Sequence, residues 1–297
     1  MTRVLKSVTT DYSDRRSGGG RGLRKFVRSQ PLGSLGALFL LAMIFVAFFG
    51  GRIAPYSYDE FNIPNRFEGP SMDHPFGTDG QGRDVFSRVL YGTQTSLIVG
   101  FAAVTVASLL ATLIGATSGY YRGRIDLALQ RFVDFWLAFP GLIFIIFVVS
   151  IFGTGIEMLI LTLGLLYAAR LSRVVRSAAL QVSSQTYVEA AKAIGAGDAR
   201  IMIRHVIPNI LPVVIINASV TIGAVIIAEA ALSFLGFGTP PPFPSWGRML
   251  KEAQQDMLYH PNLALFPGLA IALTVYSFNM LGDAIRDWLD PRLRVKT

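Results

Sequence analysis

Long stretches without a charged residue are the feature that most constrains the fold of this chain. Five windows contain no Asp, Glu, Lys or Arg, and they cover residues 29–51, 89–121, 135–156, 205–228 and 257–282. Each is long enough for the roughly 20 residues that an α-helix needs to cross a bilayer. The chain therefore reads as an integral membrane protein built from helices.

A sixth span is predicted between the third and fourth of these windows, where the signal is weakest. Residues 158–169 are uncharged over only twelve positions, and the apolar pattern continues through "LLYAARLSRVV". We expect Arg170, Arg173 and Arg176 to extend toward the headgroup layer, as long basic side chains do at helix ends. The predicted fold is all-α with six transmembrane helices.

The N-terminus resembles a signal peptide in having basic residues ahead of an apolar run. That run holds about 18 apolar or small residues, more than the 7–15 of a signal peptide, and no convincing A-x-A site follows it. We therefore expect a retained first helix behind a basic tail.

The distribution of basic residues predicts the orientation. With six spans, one face holds 21 of the 27 Lys and Arg, in residues 1–31, 119–131, 170–208 and 284–297. The positive-inside rule makes this face cytoplasmic, with both termini on it. Because the basic residues sit beside membrane spans rather than in one stripe, the net charge of +8 indicates no nucleic-acid partner.

Motifs of catalysis are missing. No Gly precedes any Lys, so a phosphate-binding loop G-x-x-x-x-G-K-[ST] cannot be written, and neither G-x-S-x-G nor H-E-x-x-H occurs. The chain also has no cysteine. We expect no catalytic residue, no cofactor and no metal in this chain, and any energy for transport must come from another subunit.

One polar stretch, "EAAKAIGAGDARIMIRHVIPN", lies between the fourth and fifth spans. Its pattern predicts a helix over Thr186–Ile194, broken by Gly195 and Gly197. Asp198 is placed to cap a second short helix, "ARIMIRHV". Pro208 suits the first turn of the fifth span. The stretch is predicted to be a stiff helix–turn–helix knob on the cytoplasmic face.

Two segments on the opposite face carry candidate docking residues. In "HPFGTDGQGRDVFSRVLYG", Asp79, Arg83, Asp84 and Arg88 either pair locally ahead of a helix or dock an external partner. In "LGFGTPPPFPSWGRMLKEAQQDMLYHPN", Trp246 is expected to be a headgroup anchor, with a ligand role as the alternative.

Glu229 is a rare acidic residue inside a predicted span. A carboxylate at the centre of a membrane helix costs about 2.5–3.5 kcal/mol, so Glu229 is expected to face the bundle interior or a watery cavity. It lines a substrate path together with Asn217 of the same span, or it is a hydrogen-bonded helix contact. The scarcity of such acids argues against a proton-driven secondary transporter.

The polar stretch resembles the EAA loop of ABC importer permeases, which reads E-A-A, three residues, Gly, nine residues, and a hydrophobic-x-Leu-Pro ending. It matches this pattern at Glu189, Ala190, Ala191, Gly195 and Pro208. Two positions depart from it, with histidine at 205 and isoleucine at 207. Histidine there is similar to the "RH-x-x-PN" variant of the dipeptide and oligopeptide branch, so the departure narrows the family.

Three further blocks resemble the DppC/OppC subfamily in the right order. They are "HPFGTDGQGRDVFSRVLYG", "LSFLGFGTPPPFPSWGRML" and "FNMLGDAIRDWLDPRLR". With the EAA loop they cover most of residues 32–294. The first twenty residues lie outside the resemblance.

The resemblance implies a non-catalytic permease subunit of the type I importer fold, a multi-pass protein in the cytoplasmic membrane of a prokaryote. Its implied partners are a DppB/OppB-like second permease, two ABC ATPases that bind ATP and Mg, an extracytoplasmic binding protein and membrane lipid. The implied ATPase-coupling residues are Glu189, Ala190, Ala191, Gly195, Ala196, Gly197, Asp198, Arg204, His205 and Pro208.

The resemblance also implies a division of the chain and a class of cargo. The expected parts are a tail (1–31), a first helix with an outer segment (32–94), a five-helix core containing the coupling loop (95–284, loop 186–208) and a second tail (285–297). The expected cargo is a peptide. The alternative cargoes are nickel, haem or glutathione. The alternative functions are an ion-coupled secondary transporter and a membrane scaffold.

Overall fold

Helices account for nearly all regular structure in the computed structural model, which describes residues 30–289. The ten α-helices in this range are α1 Pro31–Ile53, α2 Val85–Tyr121, α3 Gly123–Ala138, α4 Gly141–Phe152, α5 Ile156–Ser183, α6 Thr186–Ala193, α7 Asp198–Ile201, α8 Ile207–Leu235, α9 Trp246–Ala253 and α10 Asn262–Leu289. No strand is present between residues 30 and 289, only an isolated bridge from Thr78 to Asp84. The predicted all-α class is confirmed. The predicted tails 1–31 and 285–297 lie largely outside this range.

Five helices are long and apolar enough to cross a membrane, namely α1, α2, α5, α7 continued into α8, and α10. The bent pair α3 and α4 makes a sixth span if it is counted as one, with an angle of 87° at the break. The third uncharged window, 135–156, covers the end of α3, the bend and all of α4 rather than one straight helix. Pro140 favours an extended residue before it, and Phe139 is extended, so the helix ends at Ala138.

The span predicted to be weakest, the fourth, is in fact α5, an unbroken helix of 28 residues. Two predicted boundaries also move. Helix α2 begins at Val85, ten residues before the predicted start of the core, because the Asp84 carboxylate accepts from the Ser87 amide (2.7 Å) and caps it. Helix α10 continues to Leu289, past the predicted start of the tail at 285.

The bundle has two distinct ends. Gly33 of α1 lies against Ala284 of α10, whereas Gly50 of α1 lies against Leu90 near the start of α2. One end, which we call the knob end, therefore gathers the start of α1, the end of α2, residues 184–206 and the end of α10. The other, the cap end, carries residues 54–84 and 236–261, which we call the cap.

Close packing of α2 against α5 forms the spine of the bundle. A Cβ added at Gly115 would lie 2.6 Å from the Ser172 carbonyl oxygen, and one at Gly119 would lie 2.7 Å from that of Arg176. The segment "GATSG" is a G-x-x-x-G pattern, which lets two membrane helices approach closely. Neither the uncharged windows nor the polar stretches of the sequence indicated this helix contact, whereas the glycine spacing does.

Helix α3 is held against α5 by ion pairs at the knob end. The Arg176 guanidinium donates two hydrogen bonds of 2.6 Å to the Asp126 carboxylate, and Arg173 donates one of 2.6 Å to Asp134. Arg173 and Arg176, two of the arginines expected to extend toward lipid headgroups, are bound by carboxylates of the neighbouring helix. Their position relative to a headgroup layer stays a prediction.

Candidate functional site

The knob comprises residues 186–210, which include the first turn of α8, and the turn at its centre is a Schellman motif. Helix α6 ends at Ala193, the Ala196 amide donates to the Ala191 carbonyl (3.1 Å), and the Gly195 amide donates to that of Lys192 (2.9 Å). Gly195 has a φ of +82°, a backbone conformation that residues with a Cβ rarely adopt. The predicted break at the glycines is confirmed.

Tyr120, at the end of α2, is held by both arms of the knob. Its hydroxyl donates to the Asp198 carboxylate (2.7 Å), and the Lys192 ammonium lies 4.8 Å from its ring centroid. The prediction that Asp198 caps a helix is wrong, because Gly197 occupies the cap position and Asp198 is the first helical residue. Its carboxylate reaches across to α2 instead.

The second arm of the knob continues into a membrane span. Helix α7 runs through a π-helical turn, Met202–Val206, directly into α8, so residues 198–235 form one helical rod. The separate short helix predicted from "ARIMIRHV" is therefore wrong. Pro208 lies in the first turn of α8 as predicted. The wider π turn relieves the clash between a proline ring and the carbonyl four residues earlier.

The knob has a buried side and an exposed side. The fully buried side chains, which pack on α2 and α5, are Val188, Ile201, Val206 and Ile210. Facing outward, Ile194 is 86% exposed, Ile203 is 68% exposed and Tyr187 is 44% exposed. An apolar surface is thus presented on a rigidly anchored support.

The ten predicted coupling residues all lie on this segment. The exposed ones are Glu189, Ala190, Gly195, Gly197, Asp198, Arg204 and Pro208, while Ala196 and His205 are half-buried and Ala191 is buried. The structure therefore brings all ten of them together on the knob.

The cap is held by a cluster of charged side chains. One oxygen of Asp79 binds the guanidinium groups of Arg83 and Arg88 (2.7 Å each), and Glu252 of α9 binds the same two at 2.8 and 2.7 Å. Arg248 donates to the other oxygen of Glu252 (2.9 Å). Burial by itself would raise the pKa of Glu252, but Arg88, Arg83 and Arg248 hold that pKa below its usual value. Local pairing of Asp79 with the two arginines is confirmed, and Glu252 is a partner that sequence reasoning missed.

Three of the predicted docking residues, Asp79, Asp84 and Trp246, are buried in the cap, and Arg83 is partly buried. The Asp84 carboxylate contacts His74 (3.0 Å) as well as capping α2, and Asp79 and Arg83 lie inside the charged cluster. Trp246 is fully buried, and its indole N–H donates to the Val89 carbonyl (3.2 Å). The expected role of Trp246 as a headgroup anchor is therefore wrong, since its ring fills the contact between α9 and α2.

Glu229 lies in a nest of serine hydroxyls and is fully buried. Ser233 donates to one carboxyl oxygen (2.7 Å) and Ser96 to the other (3.4 Å), while Ser245 of the cap bonds to Ser233 (3.2 Å). This is the arrangement of a residue that joins α2, α8 and the cap, not of one that lines an open path. Asn217 is half-buried and donates to a carbonyl of its own helix (2.8 Å).

No metal centre is formed in the part of the chain that the structure describes, because no three His, Asp or Glu side chains are grouped to hold an ion.

Comparison with known proteins decides the family. The model of a family described as "Binding-protein-dependent transport system inner membrane component" matches residues 111–295, more than half of the chain. The chain belongs to this family. A second model, the "N-terminal TM domain of oligopeptide transport permease C", matches residues 21–70 of the permease. The predicted resemblance to DppC/OppC-like permeases is confirmed.

Two curated relatives are similar over almost the whole permease. The glutathione transport system permease protein GsiD of Escherichia coli O6:K15:H31 (strain 536 / UPEC) is 43% identical over 272 residues, covering 91% of this chain and 89% of GsiD. GsiD of Shigella boydii serotype 4 (strain Sb227) gives the same values. The protein is thus a multi-pass inner-membrane permease of an ABC importer.

Solved structures confirm the fold. A chain of the inward-facing MetNI methionine ABC transporter has a TM-score of 0.57 at 19% identity, over 68% of the permease and 97% of that chain. A chain of an amino acid ABC transporter with histidines has a TM-score of 0.52 at 16% identity, over 68% and 94%. The fold is that of a type I ABC importer permease.

Proposed function

We propose that this permease imports peptides as one half of a membrane channel, driven by ATPase subunits that bind its knob. The relatives support a peptide cargo, since GsiD carries the name of a tripeptide transporter and the second family model that of an oligopeptide permease. In this proposal the knob end is cytoplasmic, as the positive-inside rule predicts, and the cap faces outward.

The observation that carries the coupling role is the two-sided knob. Its exposed side offers Ile194 and Ile203, apolar side chains of the kind that fill a cleft on a partner protein. Because no phosphate-binding loop can be written in this chain, the partner that grips this surface supplies the ATP and Mg. A second, similar permease completes the channel, and an extracytoplasmic binding protein delivers cargo to the cap.

The contacts of the knob explain how a push would reach the membrane. Residues 198–235 form one rod, so a displacement at Ile203 moves α8 without a hinge between them. The clamp on Tyr120 carries the same displacement to α2, which is packed on α5 through Gly115 and Gly119. Closure of the ATPase pair would thereby tilt several spans together, as a rigid-body switch between inward-open and outward-open states.

Gly195→Arg tests the coupling role. A Cβ added at Gly195 meets no atom of residues 30–289 within 4 Å, so the arginine projects outward and obstructs the partner. ATPase co-purification and ATP-driven uptake in proteoliposomes are expected to be lost, while membrane insertion persists. Normal uptake and normal ATPase coupling in this variant would refute the proposal.

Two control variants separate obstruction from backbone strain. Gly195→Ala keeps the unfavourable φ with little bulk, and it should retain most uptake. Gly153→Arg places the same bulk at the cap end, at φ +89° and with no atom within 4 Å, and it should leave ATPase binding intact. Equal loss of ATPase binding in all three variants would show that folding, not docking, is affected.

The cargo is tested by uptake of labelled peptides into proteoliposomes that contain the whole complex and ATP. Binding-protein-dependent uptake of glutathione or trialanine is expected. Uptake of nickel or haem with no uptake of either peptide would contradict a peptide cargo.

A further inference from the structure

A polar cavity of about 350 Å³ lies in the cap, between the end of α8 and helix α9. The side chains that matter for its chemistry are Ser233, Thr239, Arg248, Lys251, Gln254 and Gln255. Cavities of roughly 300 Å³ and above are of the size that holds part of a small ligand. None of the expectations drawn from sequence or family involves this cavity.

Two hydrogen-bond donors in the lining have no partner within residues 30–289. The Lys251 ammonium makes neither a hydrogen bond nor an ion pair there, and it occupies the space that a side chain on Gly236 would fill. The Thr239 hydroxyl is also unpartnered, although Thr239 is only 3% exposed. Buried polar groups are normally satisfied, so the buried Thr239 hydroxyl points to a missing acceptor, and the exposed Lys251 ammonium lies on the same cavity as a second donor.

The only carboxylate in the lining is already engaged. Glu252 accepts from Arg83, Arg88 and Arg248, and among the described residues it makes no ion pair with the Lys251 ammonium. The lining itself carries two cations, Arg248 and Lys251, and one acid, Glu252. The lining therefore has one positive charge in excess, together with the donor of Thr239.

We propose that this cavity receives the carboxylate of the transported peptide, bound by Lys251 and Thr239. The inference rests on the proposed peptide cargo and names the group by which the cargo is held. A free carboxylate is present at the C-terminus of every unmodified peptide, and ammonium and hydroxyl donors suit it. Ser233 lines the cavity and bonds to Glu229 below it, so the site opens onto the outer end of α8.

Direct binding to the purified whole complex in nanodiscs tests the site. Labelled trialanine is the probe, and unlabelled trialanine and its C-terminal amide are the competitors. The acid should compete about fivefold better than the amide, the scale of one partly exposed charge contact. Lys251→Gln should abolish this preference, and Thr239→Val should weaken it without loss of thermal stability, because it only removes an unpartnered hydroxyl.

The control is Arg66→Gln, which removes an exposed cap cation that has no ion-pair partner within the described residues and does not line the cavity. It should keep the wild-type preference. Equal competition by acid and amide in the wild type, no saturable binding, or an unchanged preference in Lys251→Gln would overturn the proposal. The proposal would also be overturned if Lys251→Gln lost only the stimulation of ATP hydrolysis by the binding protein. That result would mean that Lys251 binds a carboxylate of the binding protein and not that of the peptide.

Uptake by the wild type separates the two proposals. If trialanine enters proteoliposomes but Lys251→Gln still prefers the acid, the cavity assignment fails and the peptide importer stands. If the wild type takes up no peptide at all, both fail.

Discussion

Replacing Tyr120 by phenylalanine tests whether the knob is fastened to α2 as the structure indicates. The change removes one hydrogen bond, the 2.7 Å contact from the tyrosine hydroxyl to the Asp198 carboxylate. The ring is only 5% exposed, and phenylalanine keeps both its packing and its contact with the Lys192 ammonium. The perturbation is therefore confined to a single interaction.

The size of the effect follows from the surroundings of that bond. A hydrogen bond to a charged group contributes about 1.5–3 kcal/mol, but Asp198 is exposed to solvent, which lowers the value to about 1 kcal/mol. This corresponds to roughly a fivefold increase in the opening equilibrium of the knob. Hydrogen–deuterium exchange should therefore be about fivefold faster at the Ala196 and Ile201 amides, which are bonded within the knob turn.

A functional consequence accompanies the faster exchange. ATP hydrolysis should persist while uptake per ATP falls, because the knob still binds its ATPase but moves α2 less. Tyr121→Phe is the matched control, since its neighbouring ring is 41% exposed and makes no such bond. Unchanged exchange and unchanged uptake per ATP in Tyr120→Phe would refute the idea that this clamp transmits motion.

Three further predictions concern the packing of the bundle and the cap. Glu252→Gln should lower the free energy of unfolding by about 3 kcal/mol at pH 7, as loss of one partner of a buried ion pair does. The pKa of Glu252 is depressed in the folded state, so its contribution to the free energy of unfolding is complete above its ordinary pKa of about 4.3 and is lost as the pH falls through the folded value. The melting temperature should therefore decline less in acid for the variant than for the wild type. Gly119→Val should lower the free energy of unfolding by about 1–3 kcal/mol or more, because its Cβ meets the Arg176 carbonyl. A wild-type melting temperature in this variant would contradict the close approach of α2 and α5. Glu229→Gln should melt near the wild type whereas Glu229→Ala should melt much lower, since only the alanine leaves a cavity and unbonded hydroxyls; equal melting of the two would contradict the serine nest.

Features that depend on local composition were predictable from the sequence. The uncharged windows located the long spans, because a charge in the hydrocarbon layer is costly wherever the chain folds. Gly195 marked the knob turn, because glycine readily adopts the positive φ that this turn requires. Pro208 marked the start of α8 for the same kind of reason.

Features that depend on distant partners were not predictable. Asp198 has the local setting of a helix cap, but Tyr120, 78 positions earlier, provides a donor that only the fold brings near. Glu252 joins the cluster of Asp79 from the far end of the chain. Trp246 has the composition of an interface anchor, yet α2 offers its ring a buried site.

The bend in the third span was not predictable for a different reason. An uncharged window reports only that residues 135–156 tolerate a membrane, and it carries no information about a bend. Pro140 is the local sequence signal for the end of α3.

The central claim is that the knob meets a cytoplasmic ATPase while the cap faces outward, and single cysteines test it most directly. The chain has no native cysteine, and Ile194 in the knob and Leu258 in the cap are each 86% exposed, so Ile194→Cys and Leu258→Cys form a matched pair. In intact cells a membrane-impermeant maleimide should label Leu258→Cys only, and a bifunctional reagent applied to inverted vesicles should cross-link Ile194→Cys to the ATPase subunit. Labelling of Ile194→Cys from outside, or its failure to cross-link to an ATPase that co-purifies with the permease, would contradict this account.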